Sequence, residues 1–142
     1  MAEQKRHNVM PMIKVDSVEK ARGFYVDKLG FRHMMGMLGK DGLLEFCNVV
    51  LGTANIMLTR SQDQDDGAGP SRTKRPVEIY MEVSDVDAYF QQVKDSGTAP
   101  SSPLTDQWWG DRTFTVMDPY GYQIWFYQHV GDPNPPKGAK LV

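Results

Sequence analysis

Few side chains in this chain of 142 residues can do metal or nucleophilic chemistry: three histidines, His7, His33 and His129, and a single cysteine, Cys47. One cysteine cannot close an internal disulfide, and the sequence has no C-x-x-C or Cys/His cluster to build a structural zinc site. Set within LLEFCNVV, Cys47 reads as a small buried hydrophobe rather than a nucleophile. The three histidines read as structural or surface groups. More distinctive are the rings: Trp108 and Trp109 adjoin on a loop flanked by Pro and Asp, and Trp125 and Tyr127 alternate along a later segment. Such rings stack on planar or cationic groups, which is chemistry of binding rather than of bond making.

Charge and hydropathy narrow the partners. Lys plus Arg number 16 against 18 Asp plus Glu, a formal charge of -2, so the basic excess of a nucleic-acid binder is missing. The longest apolar stretches, such as Val49-Val50-Leu51, fall far short of the roughly 20 residues of a membrane helix. The start MAEQKRHN lacks the apolar stretch of a signal peptide. The expectation is a cytoplasmic protein with neither a membrane nor a nucleic-acid partner.

The elements that must hold the rings follow from periodicity. Residues 8–15 (NVMPMIKV) read as a strand leading into a helix, with Asp16 as its cap and Glu19 reaching back three residues later. Ala21, Phe24, Tyr25 and Leu29 keep helical spacing and Gly30 ends it. Two strands flank the turn Lys40-Asp41-Gly42, and residues 54–59 (ANIMLT) form a fourth. Residues 61–76 are dense in Gly, Pro and charge, including the run from Asp63 to Asp66, and read as a surface linker. Residues 77–83 (VEIYMEV) then read as a strand and Ser84-Asp85-Val86-Asp87 as a helix cap, with Ser96-Gly97 as the helix end. A Pro-rich turn at Pro100 and Pro103, a loop over 106–110 and strands over 112–117 and 122–128 complete the second half. Val15-Asp16-Ser17-Val18 precedes Val83-Ser84-Asp85-Val86 by 68 residues, and Met57 precedes Trp125 by the same 68, so the two halves are expected to be one duplicated unit.

The segments KVDSVEKARGFYVDKLGF and WGDRTFTVMDPYGYQIWF, read together, resemble the vicinal oxygen chelate superfamily, which includes glyoxalase I, extradiol dioxygenases and bleomycin resistance proteins. The resemblance spans residues 8–130. It implies an α+β fold of two tandem βαβββ modules, a concave mixed β-sheet cavity, helices on the outer face, and often a homodimer. The expected organisation is one domain over 1–142, with modules at 8–60 and 77–130, the linker at 61–76 and a tail at 131–142. Each module alone is too small to bury a comfortable core.

Catalytic members of that superfamily hold one divalent metal through four side chains. By the resemblance these positions are Met10, Met57, Glu78 and Trp125, where the enzymes usually carry His, Glu or Gln. A thioether is a soft ligand and an indole offers no lone pair, so only Glu78 could bind such an ion. The expectation is therefore no metal and no cofactor. A shifted site combining Glu78 with His33 is the alternative, since His7 has the wrong strand parity and His129 lies at a strand end. Strand alternation assigns Met12 and Lys14, Asn55 and Thr59, Tyr80 and Glu82, and Gln123 and Tyr127 to the same cavity face. The alternate set, Ile13, Val15, Ile56, Leu58, Val77, Ile79, Met81, Val83, Ile124 and Phe126, should form the core. The candidate ligand-binding residues are Met10, Met12, Met57, Glu78, Tyr80, Trp108, Trp109, Arg112, Trp125 and Tyr127, with Arg112 expected to pair with Glu78 or Asp111 or to meet an acidic ligand. Adaptable thioethers, rings and a carboxylate suit a bulky aromatic or cationic small molecule, an antibiotic or natural product, held by sequestration rather than converted. The rival readings are a metal-dependent lyase, isomerase or dioxygenase, and a metal-free enzyme with Glu78 as general base.

Overall fold

Alternating apolar side chains in eight short segments fold the chain into two four-stranded sheets, each covered by a helix. A computed structural model describes residues 8–61 and 68–142, so His7 and the run from Asp63 to Asp66 lie outside the described residues. The first half comprises β1 (Met12–Val15), α1 (Val18–Gly23), β2 (Arg32–Leu38), β3 (Leu44–Leu51) and β4 (Ala54–Arg60). The second comprises β5 (Ile79–Glu82), α2 (Val86–Asp95), β6 (Ser102–Asp106), β7 (Asp111–Met117) and β8 (Gln123–His129). Strand orders are β1-β4-β3-β2 and β5-β8-β7-β6, with the first pair of each sheet parallel and the others antiparallel. This is the tandem βαβββ α+β architecture. The duplication extends to register: Met12 pairs with Met57, and 68 residues on, Tyr80 pairs with Trp125.

Three local expectations give way. The first strand begins at Met12 rather than at residue 8. Residues 102–106, expected as part of a Pro-rich turn and loop, are strand β6. Pro103 is compatible with it because β6 is the outer strand and its register shifts between Ser102 and Thr105, so no ladder donor is missed. Helix α1 is capped by Ser17, whose hydroxyl accepts from the Lys20 N–H at 3.3 Å, while Glu19 leaves the helix to accept from the Leu44 N–H at 2.7 Å. Asp85 caps α2 as its spacing predicts.

The aliphatic alternates form the core as expected: Ile13, Val15, Ile56, Leu58, Ile79, Met81, Ile124 and Phe126 are buried among Val18, Tyr25, Val86, Tyr89 and Phe114. Full burial of each large apolar side chain contributes about 1.5–3 kcal/mol. Val77 is the exception at 69% exposed, because it precedes β5 and so escapes the alternation. Polar bonds join the halves across this core. The Tyr25 hydroxyl donates to Asp118 Oδ2 at 2.7 Å, the Tyr120 hydroxyl donates to Asp16 Oδ1 at 3.0 Å, and the Tyr89 hydroxyl donates to the Leu29 carbonyl at 2.6 Å. The later part of the connecting segment is tied down as well: Ser71 N–H donates to the Pro119 carbonyl, Arg75 N–H to the Gly121 carbonyl, and Arg75 Nε to the Tyr120 carbonyl at 2.6 Å.

Candidate functional site

Strand β8 divides its side chains cleanly. Ile124 and Phe126 enter the core, which leaves Gln123, Trp125 and Tyr127 on the other face of the second sheet. The parallel register sets Tyr80 beside Trp125 and Glu82 beside Tyr127. Tyr80 stacks on Tyr127, with centroids 4.4 Å apart and planes at 14°, and lies 6.1 Å from Trp125.

A tight turn adds the fourth and fifth rings. Gln107 N–H donates to the Asp111 carbonyl and Gly110 N–H to the Gln107 carbonyl. Gly110 has φ +101°, and a Cβ there would stand 2.3 Å from the Gly131 carbonyl oxygen, so only glycine fits this turn. The turn returns Trp109 to the sheet: its Nε1–H donates to the Tyr80 hydroxyl at 2.8 Å, and its ring sits 6.4 Å from Trp125. Trp108 meets Trp109 edge-on at 5.6 Å and remains 41% exposed.

Carboxylates fix these rings. Glu78 Oε1 accepts from Trp125 Nε1–H at 3.0 Å and Gln123 Nε2–H at 2.7 Å, and pairs with Lys74 Nζ at 3.4 Å. The Trp125 N–H above all, with help from Lys74, holds Glu78 below the usual carboxylate range. A general base near neutral pH needs the opposite shift, so the geometry does not equip Glu78 for that role. Tyr80 donates to Asp111 Oδ2, and His129 Nδ1 lies 3.1 Å from Asp111 Oδ1. Loss of water contact, then the Asp111 bond, pushes the Tyr80 phenol up to about 12.

The structure thus brings Glu78, Tyr80, Trp108, Trp109, Trp125 and Tyr127 together. Arg112 does not join them. It is adjacent to Asp111 on β7 and so points to the other face, where Nε pairs with Asp87 of α2 at 2.7 Å and Nη1 with Asp106 at 2.9 Å, rather than with Glu78 or Asp111. Met12 and Met57 belong to the first sheet, and Met10 lies in the segment just before β1. Met57 has Met12 on one side and Asn48 on the other, Asn48 faces Met35 across the next pair, and Asn48 Nδ2–H donates to Met10 Sδ at 3.3 Å. A groove of about 1300 Å³ runs along β5 between the β3–β4 turn and α2, and Glu78 and Tyr80 are the candidate residues that line it, together with His129.

The four family ligand positions do not fit a hard divalent ion. Two are thioethers, one is an indole whose N–H is spent on the fourth, and that fourth, Glu78, already accepts two hydrogen bonds. His33 lies on β2 of the first sheet, and among the described residues no three His, Cys, Asp or Glu side chains gather as a metal site. Asp111, which the sequence offers only as a partner for Arg112, lies beside these rings through its bond to Tyr80. Its parity with Thr113 and Thr115, on the face opposite Phe114, was the available signal.

The model of the glyoxalase/bleomycin resistance protein/dioxygenase superfamily matches residues 7–126. A bleomycin resistance protein of Geobacillus stearothermophilus is 33% identical over 128 residues, which cover 85% of this chain and 96% of that protein. In fold, the chain is similar to TnmS3, an antibiotic binding protein from Streptomyces sp. CB03234, with a TM-score of 0.66 and 24% identity over 90% of this chain and 99% of that one. It is also similar to the bleomycin-binding protein of Streptomyces verticillus, solved with copper(II)-bleomycin, with a TM-score of 0.64 and 23% identity over 92% of this chain and all of that one.

Proposed function

We propose, from the premise that the chain belongs to the glyoxalase/bleomycin resistance protein/dioxygenase superfamily, that it is one of the superfamily's ligand-binding members and sequesters a bulky aromatic or cationic small molecule without a protein-bound metal. The observation that carries this reading is the face of Tyr80, Trp109 and Trp125, whose rings are held by hydrogen bonds, with Tyr127 stacked on Tyr80 and Glu78 ionised at the border. Rings held in place lose little entropy when a planar guest stacks on them, and the carboxylate attracts a cation. Glu82 adds a second negative charge on the same face. Met10, Met12 and Met57 supply an adaptable apolar surface on the first sheet, which a cytoplasmic homodimer would bring to the rings of its partner.

The test is thermal. Bleomycin, both metal-free and copper(II)-loaded, and planar cationic dyes are screened for a rise in Tm, since a ligand that binds only the folded state must stabilise it. The expected result is a concentration-dependent rise with at least one of them that Trp125→Ala abolishes. No rise with any of these compounds, or about one tightly held transition metal per purified chain by elemental analysis, overturns the reading. Light scattering checks the dimer.

A further inference from the structure

Two rings of this face, Trp109 and Tyr80, are held by a chain of hydrogen bonds that runs one way. Trp109 Nε1–H donates to the Tyr80 oxygen, and the Tyr80 hydroxyl donates to Asp111 Oδ2. The other oxygen of the same carboxylate faces His129 Nδ1 at 3.1 Å. Asp111 and His129 are direct partners in the antiparallel β7–β8 register, so the backbone sets this last contact. Asp111 is only 9% exposed. A carboxylate removed from water in this way is costly unless its oxygens are hydrogen-bonded, and here both are engaged by protein groups. At this exposure it is set back from a guest, whereas Glu78 stands at the border with a third of its side chain open to water.

We propose that Asp111 is the positioning residue of the aromatic face: one carboxylate sets the orientation of Tyr80 directly and of Trp109 through Tyr80, and the face recognises planar ligands only while that chain is intact. The proposal rests on the ligand-binding reading above. Its physical basis is cooperativity, because a hydroxyl that donates to a carboxylate is a stronger acceptor for the next donor. Loss of Asp111 thus weakens the Trp109 bond as well as its own. Tyr80 then loses its fixed stack on Tyr127, and Trp109 loses its tether to the sheet.

The experiment compares Asp111→Ala, Asp111→Asn, Tyr80→Phe and the double variant Asp111→Ala/Tyr80→Phe. Binding of ethidium, a planar aromatic cation, is measured by calorimetry, with near-ultraviolet circular dichroism on the same samples. Asp111→Ala is expected to weaken ethidium about tenfold, the worth of one charge-assisted hydrogen bond, and to flatten the aromatic dichroism while far-ultraviolet spectra stay unchanged. Asn keeps an acceptor for Tyr80 and offers an N–H to His129, so Asp111→Asn should restore most of the affinity. In the double variant the two losses should be strongly less than additive, because Tyr80→Phe has already cut the chain. Equal losses in the Asn and Ala variants would make Asp111 a charge seen by the ligand and overturn the proposal, as would additive losses. If wild-type protein binds no ethidium, the ligand class is judged by the thermal screen above and the dichroism decides the positioning role: an unchanged aromatic spectrum in Asp111→Ala overturns it on its own.

Discussion

Replacing Tyr25 with Phe removes a single oxygen from the join between the two halves. That oxygen is fully buried and donates to Asp118 Oδ2, whose carboxylate is bonded by the backbone N–H groups of Tyr120 and Tyr122 only through Oδ1. Phe fills the same space, so no cavity opens, and the cost is that of leaving a buried carboxylate oxygen without its donor, about 2 kcal/mol. At roughly 2.1 cal/mol/K per residue, the unfolding entropy of 142 residues is about 0.3 kcal/mol/K, which converts this loss into a fall in Tm of about 7 °C. The deficit has a pH signature. Burial already raises the Asp118 carboxyl above its ordinary value, against the lowering pull of the Tyr25 bond, and loss of that bond raises it further. A group raised on folding gives its full contribution below the unfolded value near 3.9 and loses it as pH rises through the folded value. Tyr25→Phe should therefore be most costly at neutral pH and recover as pH falls towards about 4 and Asp118 takes up a proton. Thermal melts of both proteins between those limits decide it. A neutral-pH difference within 1 °C, or one that does not change with pH, would refute the role given to this bond.

Arg112→Ala should leave the urea midpoint close to that of the wild type, since its pairs with Asp87 and Asp106 are exposed surface pairs screened by water, and it should leave ligand binding untouched; a large fall in the midpoint would contradict this. Alkaline titration followed by tyrosine absorbance should be delayed, because desolvation pushes Tyr25, Tyr80, Tyr89, Tyr120 and Tyr127 above the ordinary phenol value. Their stabilising share is complete below the unfolded value near 10 and is lost as pH rises through about 12 for Tyr80, so native protein in which all phenols ionise near 10 would contradict it. Gly110→Ala must strain both φ and the Gly131 carbonyl, and is expected to lower stability by about 1–3 kcal/mol and to disturb the aromatic dichroism. An unperturbed melt would show that the turn is looser than its geometry implies.

Alternation made most of the fold legible, because the rows Ile13/Val15, Ile56/Leu58 and Ile124/Phe126 have one buried face and no competing pattern. It failed where a residue's place is decided by a distant partner. Asp16 looks like a helix cap, yet its carboxylate takes the Tyr120 hydroxyl from 104 residues away and leaves the cap to Ser17. Strand β6 was hidden by Pro103, a residue that excludes a central strand but not an outer one with a register shift. Parity along β8 placed Trp125 and Tyr127 on one face with no structure in hand. The same rule applied to β7 separates Arg112 from that face and turns attention to Asp111, but a short segment with one charge on each side gives composition no preference between them.

The chain has three tryptophans, and all three, Trp108, Trp109 and Trp125, are linked by successive ring contacts of 5.6 and 6.4 Å on the second sheet. Its indole fluorescence therefore originates in a single patch, and excitation absorbed by any one of the rings can migrate to the others before emission. The protein carries an internal optical reporter whose intensity and colour register what happens at that face and are nearly blind to the methionine face of the first sheet.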